Sequence, residues 1–209
     1  MREVKKIVII GSESTGKSTL CRELATHYST LWCPEYAREY LLKNGKGYNY
    51  DDLLEIAKGQ CALEDEMFAK VSGESQKSKV KSQSRDSTLK LMPRSSYLKP
   101  QIPSLFIDTN LYVMKVWCEF VFKKCHQYIL DEIATRKYDL YLICNIDLPW
   151  VEDEFREYPD IESREKLYRI YKDILINQEV PWTEISGNYS ERLAGAIKAI
   201  DSFTSSERS

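Results

Sequence analysis

Two histidines, His27 and His126, are all this chain has, and its six cysteines are scattered without a single Cys-x-x-Cys pair. Thiol and imidazole metal sites need their ligands in spaced pairs, so nothing here reads as a zinc site or a disulfide frame. Cys21, Cys33, Cys61, Cys118, Cys125 and Cys144 are expected to be reduced, small core residues of a cytoplasmic protein. An excess of one charge is also missing: 30 basic residues face 32 acidic ones, for a net −2. That balance gives no global attraction to nucleic acid or an anionic membrane, and points to a small-molecule partner. Long apolar runs are absent too. The stretch after "MREVKK" stops at Gly11, far short of a signal peptide's apolar region or a membrane span, so nothing indicates export. No internal repeat is present.

What remains is an alternation of short apolar runs with amphipathic stretches over 209 residues, enough for one domain with a long loop. Strands are expected at 4–10, 30–33, 104–108, 138–145 and 180–185. Helices are expected at 17–28, with His27 near its end, and at 36–44, 51–71, 161–178 and 189–203; the stretch 111–135 is helical, whole or broken. Such alternation predicts an α/β fold in which a parallel five-stranded sheet is covered by helices on both faces. Composition changes at 72–103, which is rich in Ser, Lys and Gln. That segment is expected to be a disordered insertion at the sheet's amino edge, within a single domain over 1–204 followed by a tail, 205–209.

The run "GSESTGKS" fits G-x-x-x-x-G-K-[ST], follows a predicted strand and opens a predicted helix. Gly11 and Gly16 permit a tight loop whose N–H groups point at phosphate, and the helix start adds its positive dipole end. Ser14, Thr15 and Thr19 complete the loop around ATP. Lys17 should reach the β- and γ-phosphates, and Ser18 should offer its hydroxyl to Mg²⁺. A second metal anchor is Asp108, ending the strand "SLFID"; capping the next helix is its alternative role. The loop alone would serve a switch, a motor or a kinase. The Asn-Lys-x-Asp of guanine recognition is missing, since "CNIDLP" has Ile146 after Asn145. Only one helix and a polar tail follow Ile185, too little for a ring-forming ATPase's extra subdomain. A small-molecule kinase therefore fits best.

Acceptor chemistry is expected in "CPEYAREYL". Glu35 follows the second strand, on the carboxyl edge where open parallel sheets bind ligands. Its carboxylate could orient a hydroxyl or take its proton; whether Glu35 or Asp108 acts as the base stays open. Arg38 could bind acceptor or phosphate oxygens, and Tyr36 could stack on a planar base. The same residues would also make an ordinary helix start.

In order along the chain, "IIGSESTGKSTL", "PEYAREYL", "AKGQ", "FIDTN", "PWVEDEFR" and "ISGNYSER" resemble the bacterial ribosylnicotinamide kinase family, the kinase module of bifunctional NAD-salvage proteins. The resemblance covers nearly everything outside 72–103. It implies a P-loop, nucleoside-kinase-like fold that moves the γ-phosphate of ATP to the 5′-hydroxyl of nicotinamide riboside. By position it implies Gly16, Lys17, Ser18 and Thr19 around ATP and Mg²⁺, with Asp108 as the acidic anchor. Glu35, Tyr36, Arg38, Gln60, Asn110 and Trp150 would lie on the acceptor side. Arg156 and Arg164 would be catalytic arginines of a lid, beside the matching Asp153. Gly187, Tyr189 and Arg192 would flank adenine.

The chain departs from that family in Pro34, where some relatives have an aromatic residue, in Asn110, where an aspartate is frequent, and in Glu154, where a glycine is familiar. Tyr112 and Trp117 could supply an aromatic face instead. A fused adenylyltransferase or helix-turn-helix is not expected here. The reading is thus an ATP-dependent ribosylnicotinamide kinase; the alternatives are a kinase for another nucleoside or small alcohol, and a regulatory ATPase without an acceptor.

Overall fold

A computed structural model describes residues 4–73 and 103–206. The disorder expected of 72–103 concerns residues that, apart from Ser72, Gly73 and Pro103, lie outside the described ones, as do 207–209 of the tail. The strands are β1 (Lys5–Ile10), β2 (Trp32–Cys33), β3 (Ser104–Asp108), β4 (Leu140–Cys144) and β5 (Trp182–Ile185). The helices are α1 (Lys17–His27), α2 (Tyr36–Asn44), α3 (Tyr50–Ser72), α4 (Leu111–Phe122), α5 (Gln127–Thr135), α6 (Ile161–Ile176) and α7 (Tyr189–Ser206). The stretch 111–135 is broken because Lys123 caps α4 in the left-handed conformation, φ 58°. His126, stacked on Tyr50 at 3.7 Å between ring centroids, then starts α5.

All strands are parallel, in the order β2-β3-β1-β4-β5. Because successive side chains point to opposite faces and both faces are covered, the central strands carry unbroken buried apolar runs, 7–10, 105–107 and 140–144. Ile7 and Ile9 of β1 pack with α1 and α7 on one face, while Val8 and Ile10 pack toward α4 and α6 on the other. Each such buried side chain contributes about 1.5–3 kcal/mol relative to exposure. A third cluster joins α2, α3, α4 and α5 through Leu53, Ile56, Met114 and Ile129. Five of the six cysteines are buried, Cys21, Cys33 and Cys144 against the sheet and Cys61 and Cys118 in the third cluster, as expected of small core residues. No helix among the described residues is long and apolar enough to cross a membrane.

The order places the functional segments. From β1 the chain goes past β3 to reach β2, and from β3 it crosses β1 to reach β4, so connections leave this central pair in opposite directions. A crevice opens at the carboxyl ends of the strands where that reversal occurs. Gly11, Glu35, Asp108 and Asn145 all follow or end strands at that edge, while Pro103 sits at the amino edge, its carbonyl accepting from Lys5 N at 2.9 Å.

Candidate active site

The loop after β1 is tight because its glycines leave it no alternative. At Gly11, φ 147°, a Cβ would stand 2.8 Å from the Cys144 carbonyl of β4; Gly16, φ 78°, is the left-handed N-cap of α1. Ser14 also takes positive φ, 56°. Thr15 Oγ1 and Lys17 Nζ each donate to the Ser12 carbonyl at 2.8 Å, so the loop is braced across itself. Its outer wall is held from far along the chain. Arg192 of α7, 1 % exposed, donates to the carbonyls of Thr15 (3.1 Å), Asn145 (2.9 Å), Ile185 (3.3 Å) and Gly187 (2.8 Å), and pairs with Asp147. Arg192 is therefore a clamp on the loop. The Gly187 N–H donates to Asp147 Oδ2 at 2.6 Å, whereas Tyr189 lies beside Gly16 on the cleft. Replacing Arg192 by Ala removes a buried guanidinium's bonds to four carbonyls and to Asp147, so urea unfolding should show a loss of about 2–4 kcal/mol. An unchanged midpoint would show that the clamp contributes nothing.

Asp108 closes β3 at the cleft floor, 1 % exposed. Burial raises its carboxyl, while Lys17 and a hydrogen bond from the Ser18 hydroxyl oppose that rise. A hydroxyl and a buried carboxylate side by side are hard oxygen donors of the type Mg²⁺ takes. Among the described residues there is no group of three or more His, Cys, Asp or Glu that could hold a metal ion.

Glu35 caps α2 from the end of β2. Burial pushes its carboxyl up to about 7, neighbouring Asp108 adds to the rise, and Lys17 opposes it. Its backbone is pinned on both sides by one amide. Gln60 of α3, 3 % exposed, accepts from Tyr36 N at 2.7 Å and donates to the Pro34 carbonyl at 3.4 Å. Gln60, expected on the acceptor side, holds the turn that presents Glu35 and does not itself line the cleft. Tyr36 is also displaced from the expected role, because its ring lies on Gly59, where a Cβ would come within 2.0 Å of it. Asn110 also lies off the cleft. It caps α4, accepting from Tyr112 N at 3.1 Å, and donates to the Tyr141 hydroxyl at 3.0 Å, so it faces a second pocket together with Tyr112.

The segment 148–160 has no regular structure and lies across the cleft, tied to both sides. On the loop side, Val151 N donates to Ser14 Oγ at 2.9 Å, and Arg156 donates to the same oxygen at 3.2 Å. On the α2 side, Arg38 grips Asp153 through two bonds of 3.1 and 3.0 Å and lies over the Phe155 ring at 5.2 Å. Arg156 thus lines the cleft. Arg164 does not: it is 4 % exposed at the start of α6 and donates to the Leu148 carbonyl at 3.2 Å, anchoring the segment's base. Trp150 lies 5.8 Å from each of these two guanidinium groups, packed between them and outside the cleft lining.

The cleft has a volume of about 380 Å³ and runs from the loop to Glu35 and Arg38. Its far wall was not singled out in the sequence. Val113, Val116, Trp117 and Phe120 of α4 form it with Phe155 and Tyr158 of the crossing segment. The spacing 113, 116, 117, 120 is visible as one helical stripe, but a stripe facing a cleft and one facing a core look the same. Trp117 had been noted as a possible aromatic face and does line the cleft; Tyr112 does not. Glu13 was missed as well.

An AAA domain family model matches residues 6–192. The trifunctional NAD biosynthesis/regulator protein NadR of Escherichia coli (strain K12) is 22 % identical over 98 % of this chain, which spans 44 % of that protein. The chain thus covers less than half the length of that curated relative. A crystal structure of a NadR protein in complex with NR matches with a TM-score of 0.68 and 22 % identity, over 97 % of this chain and 50 % of that one. Thymidylate kinase from Ehrlichia chaffeensis matches with a TM-score of 0.56 and 16 % identity, over 94 % of this chain and 98 % of that one. These likenesses agree with the parallel sheet, its order and its phosphate loop in assigning a P-loop kinase fold. With the family match spanning the chain from β1 to the Arg192 clamp, this nucleotide-binding protein belongs to the AAA domain family.

Proposed function

We propose that the protein is an ATP-dependent kinase that phosphorylates the 5′-hydroxyl of nicotinamide riboside to give nicotinamide mononucleotide. One observation carries this reading: a single cleft joins the phosphate loop to a carboxylate, Glu35, and to an aromatic wall large enough for a planar base. The NadR likeness, with its NR complex, supports the choice of acceptor.

In the proposed reaction, the loop N–H groups and Lys17 hold the β- and γ-phosphates. Glu35 orients the acceptor hydroxyl and takes its proton as the oxygen–phosphorus bond forms and the bond to the ADP oxygen breaks. Arg156 offers charge-assisted bonds to the transferring group, and the segment 148–160 keeps water out. Ser18 and Asp108 would hold Mg²⁺, which when bound neutralises phosphate charge. The test is ADP release by the purified protein with Mg-ATP, with and without nicotinamide riboside. Release that the riboside does not stimulate defeats the acceptor assignment, and a nucleoside panel then identifies any other acceptor; steady release unaffected by every nucleoside favours a regulatory ATPase.

The pH dependence follows from Glu35. A base must be ionised, and this carboxyl is raised to about 7. Riboside-dependent kcat should therefore fall as pH drops through about 7, well above the range where an ordinary carboxylate protonates. A flat profile from pH 8 to pH 5.5 would remove Glu35 from the base role.

A further inference from the structure

We propose that Glu13, although it belongs to the phosphate loop, is a positioning residue for the acceptor: through the crossing segment it builds the wall on which the acceptor rests. Glu13 Oε2 accepts from the backbone N–H of Glu157 at 2.9 Å and of Tyr158 at 3.2 Å. It thereby fixes the segment at the two residues that reach the far wall. Tyr158 stands edge-to-face on Phe120 of α4, 5.3 Å between centroids. Glu157 Oε2 accepts from the Tyr48 hydroxyl at 3.0 Å, and that hydroxyl accepts from Trp117 Nε1 at 2.9 Å. One continuous path thus runs from the loop, through the segment, to two aromatic residues of α4. Its members are spread over the sequence, |i−j| being 144 for the first bond and 109 for the second, so no local preference accounts for it.

The chemistry fits the geometry. A carboxylate in a phosphate loop is electrostatically unfavourable beside bound phosphate unless its charge is engaged elsewhere. Here two N–H donors engage it, and bonds to an ionised acceptor are stronger than neutral ones. The loop's charge is turned toward the segment, and the segment's position is tied to the loop. Binding at the two ends of the cleft is coupled in consequence: a loop settled on nucleotide holds Tyr158 and Glu157 where the acceptor wall needs them.

This inference rests on the acceptor lying against that wall, as in the reading above. The experiment compares wild type, Glu13→Gln, Glu13→Ala and Tyr48→Phe by three readouts. These are KM for nicotinamide riboside, dissociation constant for a non-hydrolysable ATP analogue, and hydrogen exchange of the 150–160 amides. Glu13→Ala should raise the riboside KM by about tenfold or more while changing nucleotide affinity by less than about twofold, and should speed exchange in 150–160. Glu13→Gln, which keeps an acceptor oxygen, should restore part of the loss. Tyr48→Phe should raise the same KM, and adding it to Glu13→Ala should cost little more, because both lie on one path. A loss confined to nucleotide affinity, or fully additive effects, overturns the inference. If wild type does not turn over the riboside, the acceptor reading has failed independently. The same comparison then runs on the nucleoside that is turned over, and exchange in 150–160 that Glu13→Ala leaves unchanged overturns the inference without any acceptor.

Discussion

Lys17→Ala is expected to lower riboside-dependent turnover by about a thousandfold or more, the range seen when a preorganised charge on a transferring phosphoryl group is removed. The ammonium is held over the loop by the Ser12 carbonyl, in the electrostatic field of Asp108 and Glu35. Removing it takes away the cation opposing the rise of both carboxyls, so each should shift further upward. The variant therefore loses phosphate stabilisation and also has less ionised Glu35 at neutral pH. Lys17→Arg should recover little, because a planar fork cannot occupy the place of a compact point charge in so tight a loop. The measurement is single-turnover phosphoryl transfer with saturating ATP; a loss below about tenfold would mean that Lys17 does not contact the reacting phosphate.

Glu35→Gln is expected to cost about 10²–10⁴ in kcat, the usual worth of a positioned base. It should also make the protein more stable above neutral pH. A carboxyl raised above its unfolded value favours the protonated form in the folded state. The native protein thus binds more protons than the unfolded chain between about 4.5 and about 7, and stability declines as pH rises through that window. The neutral amide avoids the penalty. Urea midpoints at pH 5 and pH 8 should therefore separate the two proteins only at pH 8, with the variant higher. A variant less stable at pH 8 would place Glu35 among favourable contacts and against a strained catalytic group.

The sheet was legible because its central strands carry runs that are apolar on both faces and its phosphate loop has fixed spacing; the five strands and the helices fall within a few residues of expectation. Strand order was not legible, since pairing between segments such as β1 and β3 is a property of the assembled layers. The phosphate loop was recoverable because it depends on a local pattern, and the position of Glu35 on the cleft because it follows a strand at the sheet's carboxyl edge. Tyr36, Gln60, Asn110, Arg164 and Arg192 lie outside the cleft lining for a reason their motifs do not disclose. Each is a polar or aromatic residue held by a partner outside its own motif, as with Gly59 under Tyr36, the Tyr141 hydroxyl beside Asn110 and Leu148 under Arg164. Motif membership marks the neighbourhood of a site without saying which side of the backbone a side chain takes. Glu13 shows the reverse case, hidden at a variable position of a well-known loop.

The Arg192 clamp sets an order of events in the making of the protein. Thr15 and Arg192 are 177 residues apart, yet the bond between them braces the nucleotide loop. A contact of such span closes late in folding, and during synthesis it must wait until α7 has left the ribosome. Nascent chains lacking that helix should form much of the sheet and still fail to grip ATP. The ability to bind nucleotide would then report that the chain has been made through α7.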